Sequence, residues 1–277
     1  MKPAPFAYAA PVSLDEALGL LGDGAAVLAG GQSLVPELNI RARRPAALVD
    51  INRVPGLDAV ELTADGLRIG ALVRHAALER SDAVRAHCPL LARIVRFVAH
   101  PPVRNRGTFG GSIANAHPAA ELAAVVAAAG GAVELRSRTA TRVVPHDRFV
   151  VGPFATLRRT DELVTAVRVP ALAGHACGFH EITRREREYA MAGAVVALPR
   201  GAVTGARVAL FGVEGRPRRL GAAEALLEDA VRDGVDEPAL RRAVAGALEA
   251  DVDGYRRHLA GVAVARAVAD ALAGGGP

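Results

Sequence analysis

Lysine is almost missing: of 277 residues only Lys2 carries an ε-amine. A phosphate-binding P-loop needs a lysine directly after its glycines, so that class of nucleotide hydrolase is excluded. Cysteine is nearly as scarce, with Cys88 and Cys177 alone. Two thiols cannot ligate an ordinary iron–sulfur cluster or build a disulfide framework. Tryptophan is absent, and seven Phe and three Tyr leave no stacking platform for bases. The net charge of +5 is carried by arginines interspersed with Asp and Glu, which is not the basic stripe of a nucleic-acid binder. No long apolar run is present either. The best, Leu122–Val133, lies between Glu121 and Glu134 and is too short to span a bilayer. Pro3, Pro5 and Pro11 interrupt any secretory leader, so the expectation is a cytoplasmic protein with neither nucleic acid nor membrane as partner.

Catalytic signatures are missing as well. No G-x-G-x-x-G follows a strand, and Ser112 lacks the G-x-S-x-G setting of a nucleophile elbow. The histidines show no metal-ligand spacing, and the acidic residues form no evident acid/base pair. No catalytic residue and no metal site is therefore expected on this chain.

What is present is glycine in two similar settings. Residues 104–121 read RNRGTFGGSIANAHPAAE and run into an apolar helical stretch; upstream, Leu28-Ala29-Gly30-Gly31-Gln32-Ser33-Leu34 follows a short apolar segment. Each places a Gly-Gly pair and then a Ser before a probable helix. Glycine lets backbone amides approach an anion closely, and a helix N-terminus adds partial positive charge. Both stretches read as loops, the two walls of one crevice holding a dinucleotide mainly by backbone. Arg104 and Arg106 flank the second, where they could meet phosphate or a partner.

The rest of the chain reads as α+β. A capping box at Ser13 opens a helix over Leu14–Leu21. A strand near Ala26–Ala29, a brief helix near Ser33–Asn39 and a strand at Ala47–Ile51 then make a β-loop-α-β unit. Ala64-Asp65-Gly66 marks a hairpin between Val60–Leu62 and Leu67–Ile69. Helices follow at Arg74–Ser81 and Pro89–Ala99, with Pro101-Pro102 as the stop, then a helix over Ala119–Ala129. Strands near Ala132–Leu135, Thr141–Val144 and Asp161–Val167 complete this half, and Ala171–Gly174 reads as a linker. Beyond it strands at Gly178–Thr183, Gly193–Leu198 and Arg207–Phe211 precede helices at Ala222–Leu227, Pro238–Leu248 and Tyr255–Ala273, the order of a separate α+β domain.

The residues at this point carry a resemblance to the flavin-binding (medium) subunit of molybdenum hydroxylases, the group of carbon monoxide dehydrogenase and xanthine dehydrogenase. Ala29–Leu34 with Leu48-Val49-Asp50-Ile51 is similar to that family's first flavin segment, and Ile69–Leu72 with His75 to the next. Val103–Ala116 resembles its second segment closely; Phe179-x-Glu181, Arg184-Arg185 and Tyr189-Ala190 resemble the start of its last domain, and Tyr255–Val262 its last helix.

The resemblance implies a two-subdomain FAD-binding domain of the PCMH/VAO type over residues 1–170, divided at about 55. A smaller C-terminal domain with antiparallel sheet and helices would occupy 175–277. It implies FAD held by Leu28, Ala29, Gly30, Gly31, Gln32, Ser33 and Leu34 on one side. On the other side it implies Thr108, Gly110, Gly111, Ser112 and Asn115, with Ala71, His75, His117, Glu121, Leu163 and Tyr189. His117 stands where relatives often carry Asp. The implied partners are a molybdenum-cofactor large subunit and a 2Fe-2S small subunit. In that setting the chain would pass electrons through FAD to an acceptor such as NAD or a quinone. A free-standing FAD-dependent oxidoreductase is the alternative.

Overall fold

The computed structural model describes residues 2–200, 204–230 and 234–274. The first helix, Leu14–Gly19, begins as its sequence dictates: the Ser13 hydroxyl accepts from the Glu16 amide at 3.2 Å. The strands Ala25–Leu28 and Ala47–Asp50 pair in parallel, as the β-loop-α-β pattern predicts. A third strand, Ala7–Ala9, adds to the far side of Ala47–Asp50 and completes a three-stranded sheet. Its three residues are too few for an alternating pattern, and the sequence gives no sign of it.

The second sheet is antiparallel with five strands. The hairpin Val60–Thr63/Gly66–Gly70 forms one edge, Leu163–Pro170 the middle, and Ala132–Arg136 with Thr141–Pro145 the other edge. Across it lies the helix Glu121–Ala129, whose nine residues are all buried. An all-round apolar helix must be covered on every side. Here the five-stranded sheet takes one face and the C-terminal sheet another. That third sheet is antiparallel, in the order His175–Ile182, Ala192–Pro199, Arg207–Phe211, Arg218–Arg219. Helices Gly221–Ala230, Glu237–Ala247 and Gly254–Leu272 accompany it. The last crosses so closely that a Cβ on Gly178 would lie 1.9 Å from the Ala267 carbonyl oxygen.

Several expectations are corrected. The second glycine stretch is not a loop: Phe109–Asn115 is a helix, with Gly110 and Gly111 in its first turn. The Thr108 hydroxyl caps it, accepting from the Gly111 amide, and this cap outweighs the poor helix propensity of the glycine pair. Pro101-Pro102 does not merely stop a helix but opens another, Pro101–Arg106, because proline suits the first helical turn. The helix expected to Ala99 ends at Ile94. Asp82–His87 forms its own helix, capped by the Ser81 hydroxyl. Ala171–Gly174 is no free linker: Leu172 is fully buried and its amide donates to the His87 carbonyl at 2.8 Å.

Candidate functional site

The three sheets meet around a cleft of ≈ 1340 Å³. The two glycine stretches are in direct contact at its floor: a Cβ on Gly30 would lie 2.5 Å from the Arg106 carbonyl oxygen and 2.9 Å from the Gly107 Cα. Only glycine allows that approach. Gly31 adds a left-handed backbone (φ +73°), and the Gln32 side-chain amide donates to the Gly30 carbonyl at 3.1 Å, fixing the turn.

Of the residues that the resemblance assigns to FAD, all but Leu28 border the cleft, and neither Arg104 nor Arg106 does. Leu28 ends its strand, and its Cδ1 packs beneath Gly31. Ala29, Gly30, Gly31, Gln32, Ser33 and Leu34 line one wall. The amides of Gly30, Gly31, Gln32 and Ser33 donate to no protein acceptor among the described residues, and Ser33 makes no side-chain cap. Four free amides on a turn at a helix start form a nest for a polyanion.

Thr108, Gly110, Gly111, Ser112 and Asn115 line the opposite wall, but their chemistry differs from the expectation. The Gly110 amide donates to the Ala71 carbonyl at 3.0 Å and that of Ser112 to the Thr108 carbonyl at 3.0 Å. The Gly111 amide is taken by the Thr108 hydroxyl at 3.2 Å. This wall therefore offers side chains, those of Ser112 and Asn115, while its amides are used within the protein. Gly110 is needed for close packing: a Cβ there would lie 2.5 Å from the Ala71 Cα.

His75 borders the cleft from a buried position, and neither ring nitrogen has a hydrogen-bond partner. Burial pushes its pKa down to about 4, so the ring is neutral and can donate or accept. Orphaned buried polar atoms in a cleft are the complement of a polar ligand. Leu163, the first residue of the central strand, gives an apolar patch nearby.

At the other end the segment between the strands His175–Ile182 and Ala192–Pro199 supplies Tyr189, whose ring stacks flat on His117 at 3.8 Å between centroids and 12° between planes. Phe154 meets His117 edge-on at 5.1 Å. The His117 Nδ1 accepts from the Ala119 amide at 3.0 Å, and burial lowers its pKa. Glu121 is the first residue of the buried helix, and burial raises its pKa to about 7. Glu181 on the strand His175–Ile182 is raised to about 8 by burial and by Glu121. This end is thus planar and aromatic, with the Glu121 carboxyl able to hold a proton near neutrality.

Arg104 faces neither phosphate nor solvent: it is buried, donates to the Val98 and Ala99 carbonyls, and pairs with Glu79 at 3.4 Å. Arg184, quoted for the resemblance but not for the site, borders the cleft too. The cleft also contains residues that sequence reasoning missed, among them Arg43, Phe154, Arg158 and Arg187. They stand on irregular segments with no motif around them; only the tertiary fold brings them here.

Residues 4–172 match the family model described as the FAD binding domain in molybdopterin dehydrogenase. Among curated relatives, the 6-hydroxypseudooxynicotine dehydrogenase complex subunit alpha of Paenarthrobacter nicotinovorans is 39% identical, over 98% of this chain and 96% of its own length. The carbon monoxide dehydrogenase medium chain of Hydrogenophaga pseudoflava is 36% identical, over 97% of each chain. A solved structure of carbon monoxide dehydrogenase from Hydrogenophaga pseudoflava superposes with a TM-score of 0.91 at 35% identity, covering 99% of both chains. The chain belongs to the FAD-binding subunits of the molybdenum hydroxylase family. It is an FAD-dependent oxidoreductase subunit. The cleft fits that cofactor: free amides for a diphosphate at one end, an aromatic wall for a planar ring at the other.

Proposed function

We propose that this chain is the electron-transferring medium subunit of a molybdenum hydroxylase complex. It would work beside a large molybdenum-cofactor subunit and a small 2Fe-2S subunit. It would carry electrons from the iron–sulfur clusters to an acceptor such as NAD or a quinone. The observation that carries this reading is the cleft itself, in which the free amides of Gly30–Ser33 face a wall bearing Ser112 and Asn115. The two cysteines support the division of labour, since clusters must then reside on another chain.

In this reading residues 1–55 and 56–170 form the two subdomains around FAD, and 175–277 the C-terminal domain. Bound FAD supplies the exchange between one-electron and two-electron redox chemistry. The protein's own residues bind and orient. Gly30, Gly31, Gln32 and Ser33 present amides to the diphosphate, with Ser112, Thr108 and Asn115 opposite. Ala29, Leu34, Ala71, Gly110, Gly111 and Leu163 shape the walls. His75 offers a neutral ring nitrogen to the ribityl and phosphate region. Tyr189 and His117, stacked on each other, would present one aromatic face to the ring, and Glu121 would hold a proton near it. Leu28 supports the first turn from below.

Purification of the native protein from its source cells tests this. Yellow protein accompanied by a molybdenum-containing large chain and an iron–sulfur small chain is expected. Protein that shows no flavin absorbance, and gains none with added FAD, sinks the reading. Flavin-containing protein that is always alone would favour the free-standing oxidoreductase.

A further inference from the structure

Behind the cleft, on the side away from the cofactor site, a chain of polar side chains grips both glycine walls. The Asn52 Nδ2 donates to the Ala29 carbonyl at 2.9 Å and to Asp50 Oδ1 at 2.6 Å. The Asn52 Oδ1 accepts from Arg74 Nη2 at 2.6 Å. The Nη1 of the same guanidinium donates to the Arg106 carbonyl. Asp50 is held in turn by the Tyr8 hydroxyl, at 2.7 Å from Oδ2. The network thus runs from the edge strand through Asp50, Asn52 and Arg74, ending on one carbonyl in each wall.

Those two carbonyls occupy decisive places. Arg106 O is the atom against which Gly30 packs. In a trans peptide the carbonyl and the following amide point in opposite directions. Holding the Ala29 carbonyl backwards therefore turns the Gly30 amide forwards, where it has no acceptor among the described residues. Without Asn52, that peptide plane is free to rotate, because glycine at position 30 imposes little of its own. Without Arg74, the Arg106 carbonyl loses the donor that keeps it against Gly30.

We propose that Asn52 and Arg74 are positioning residues for the flavin's diphosphate: acting from behind, Asn52 fixes the peptide plane that presents the Gly30 amide, and Arg74 holds both Asn52 and the Arg106 carbonyl against which Gly30 packs. The inference rests on the FAD reading above and adds two residues that border a separate cavity with Arg53 and Asp58. Neither borders the cofactor cleft, and Arg74 acts only through main chain and Asn52.

The test uses the full chain in the complex with which it co-purifies, stripped of flavin and titrated with FAD, with ADP as competitor. Asn52→Ala and Arg74→Ala each weaken FAD and ADP about tenfold, the loss of roughly one well-placed hydrogen bond. The double variant is little worse than either single one, because both act through one chain of contacts. Arg74→Lys, which keeps a single donor, recovers part of the loss. Unfolding midpoints of the flavin-free variants stay near that of the parent, and the visible spectrum of bound flavin keeps its shape. Affinities within twofold of the parent overturn the proposal. So does a loss confined to FAD with ADP unaffected, which would place the lesion at the ring. If the parent itself takes up no FAD, the functional reading fails first and this inference falls with it; the two failures are told apart by which protein shows them.

Discussion

Glu121 shows how one buried side chain sets a pH dependence. Its ordinary pKa of 4.5 is raised to about 7 by burial, and Glu181, next to it in charge space, is raised to about 8. Between 4.5 and these values the folded protein holds protons that the unfolded chain has released. Their contribution to stability is therefore complete below 4.5 and is lost as pH rises through about 7 to 8. For Glu121 the swing is on the order of 3 kcal/mol. Denaturant unfolding of the flavin-free protein at intervals from pH 6.5 to 8.5, above the range in which the buried His75 and His146 oppose the trend, should show stability falling. Glu121→Gln should flatten the slope, since the amide carries no charge at any pH. An unchanged slope in that variant would show that the carboxyl is ionised and solvated instead. His75 acts in the opposite direction: its depressed pKa, about 4, costs stability as pH falls from 6.5.

Among the elements, the helix Phe109–Asn115 is the one whose nature the sequence conceals. Two adjacent glycines argue for a loop, yet the Thr108 cap and the contact with Ala71 win. Gly110→Ala should consequently destabilise the flavin-free protein by about 1–3 kcal/mol, because the new methyl group meets main chain that cannot move aside. A variant as stable as the parent in urea would remove the packing argument. Thr108→Ala should cost about 1 kcal/mol through the lost cap, measured the same way, with full stability as the contrary result.

The elements that sequence did reveal share a feature: each carries its own periodic signal. Arg207–Phe211 was expected with the bounds it has, and the parallel pair around the first glycine turn follows from a short apolar run on either side. The site was readable as far as its motifs reached, at Gly30–Ser33 and Thr108–Ser112. Ala7–Ala9, Asn52 and Arg74 stayed hidden because their roles depend on partners far away in the chain. Hydrogen bonds across tens of residues leave no local pattern.

Across the molecule, the last sheet and its helices are tied to the elements before them by a few arginine contacts. Arg93 forms a two-pronged pair with Asp270 at 2.8 and 3.2 Å, and the same carboxylate accepts from the Phe179 amide at 2.8 Å. Arg207 donates to the Ala128 carbonyl at the end of the buried helix, and Arg216 to the Asp147 and Val150 carbonyls. Asp270→Ala should loosen the strand that leads to Tyr189 and speed FAD dissociation severalfold, while costing about 1–2 kcal/mol of stability. Stopped-flow displacement by excess competing flavin reads the first effect; an unaltered release rate would detach the domain junction from cofactor retention.

The cleft's walls also tie distant stretches of chain together. Gly30 and Ser112 stand on walls formed by the first half of the sequence, but the aromatic end needs Tyr189 and the strand leading to Gly212. A chain cut before Tyr189 would keep both glycine turns and lose that end, together with the helix Gly254–Leu272 that packs against Gly178.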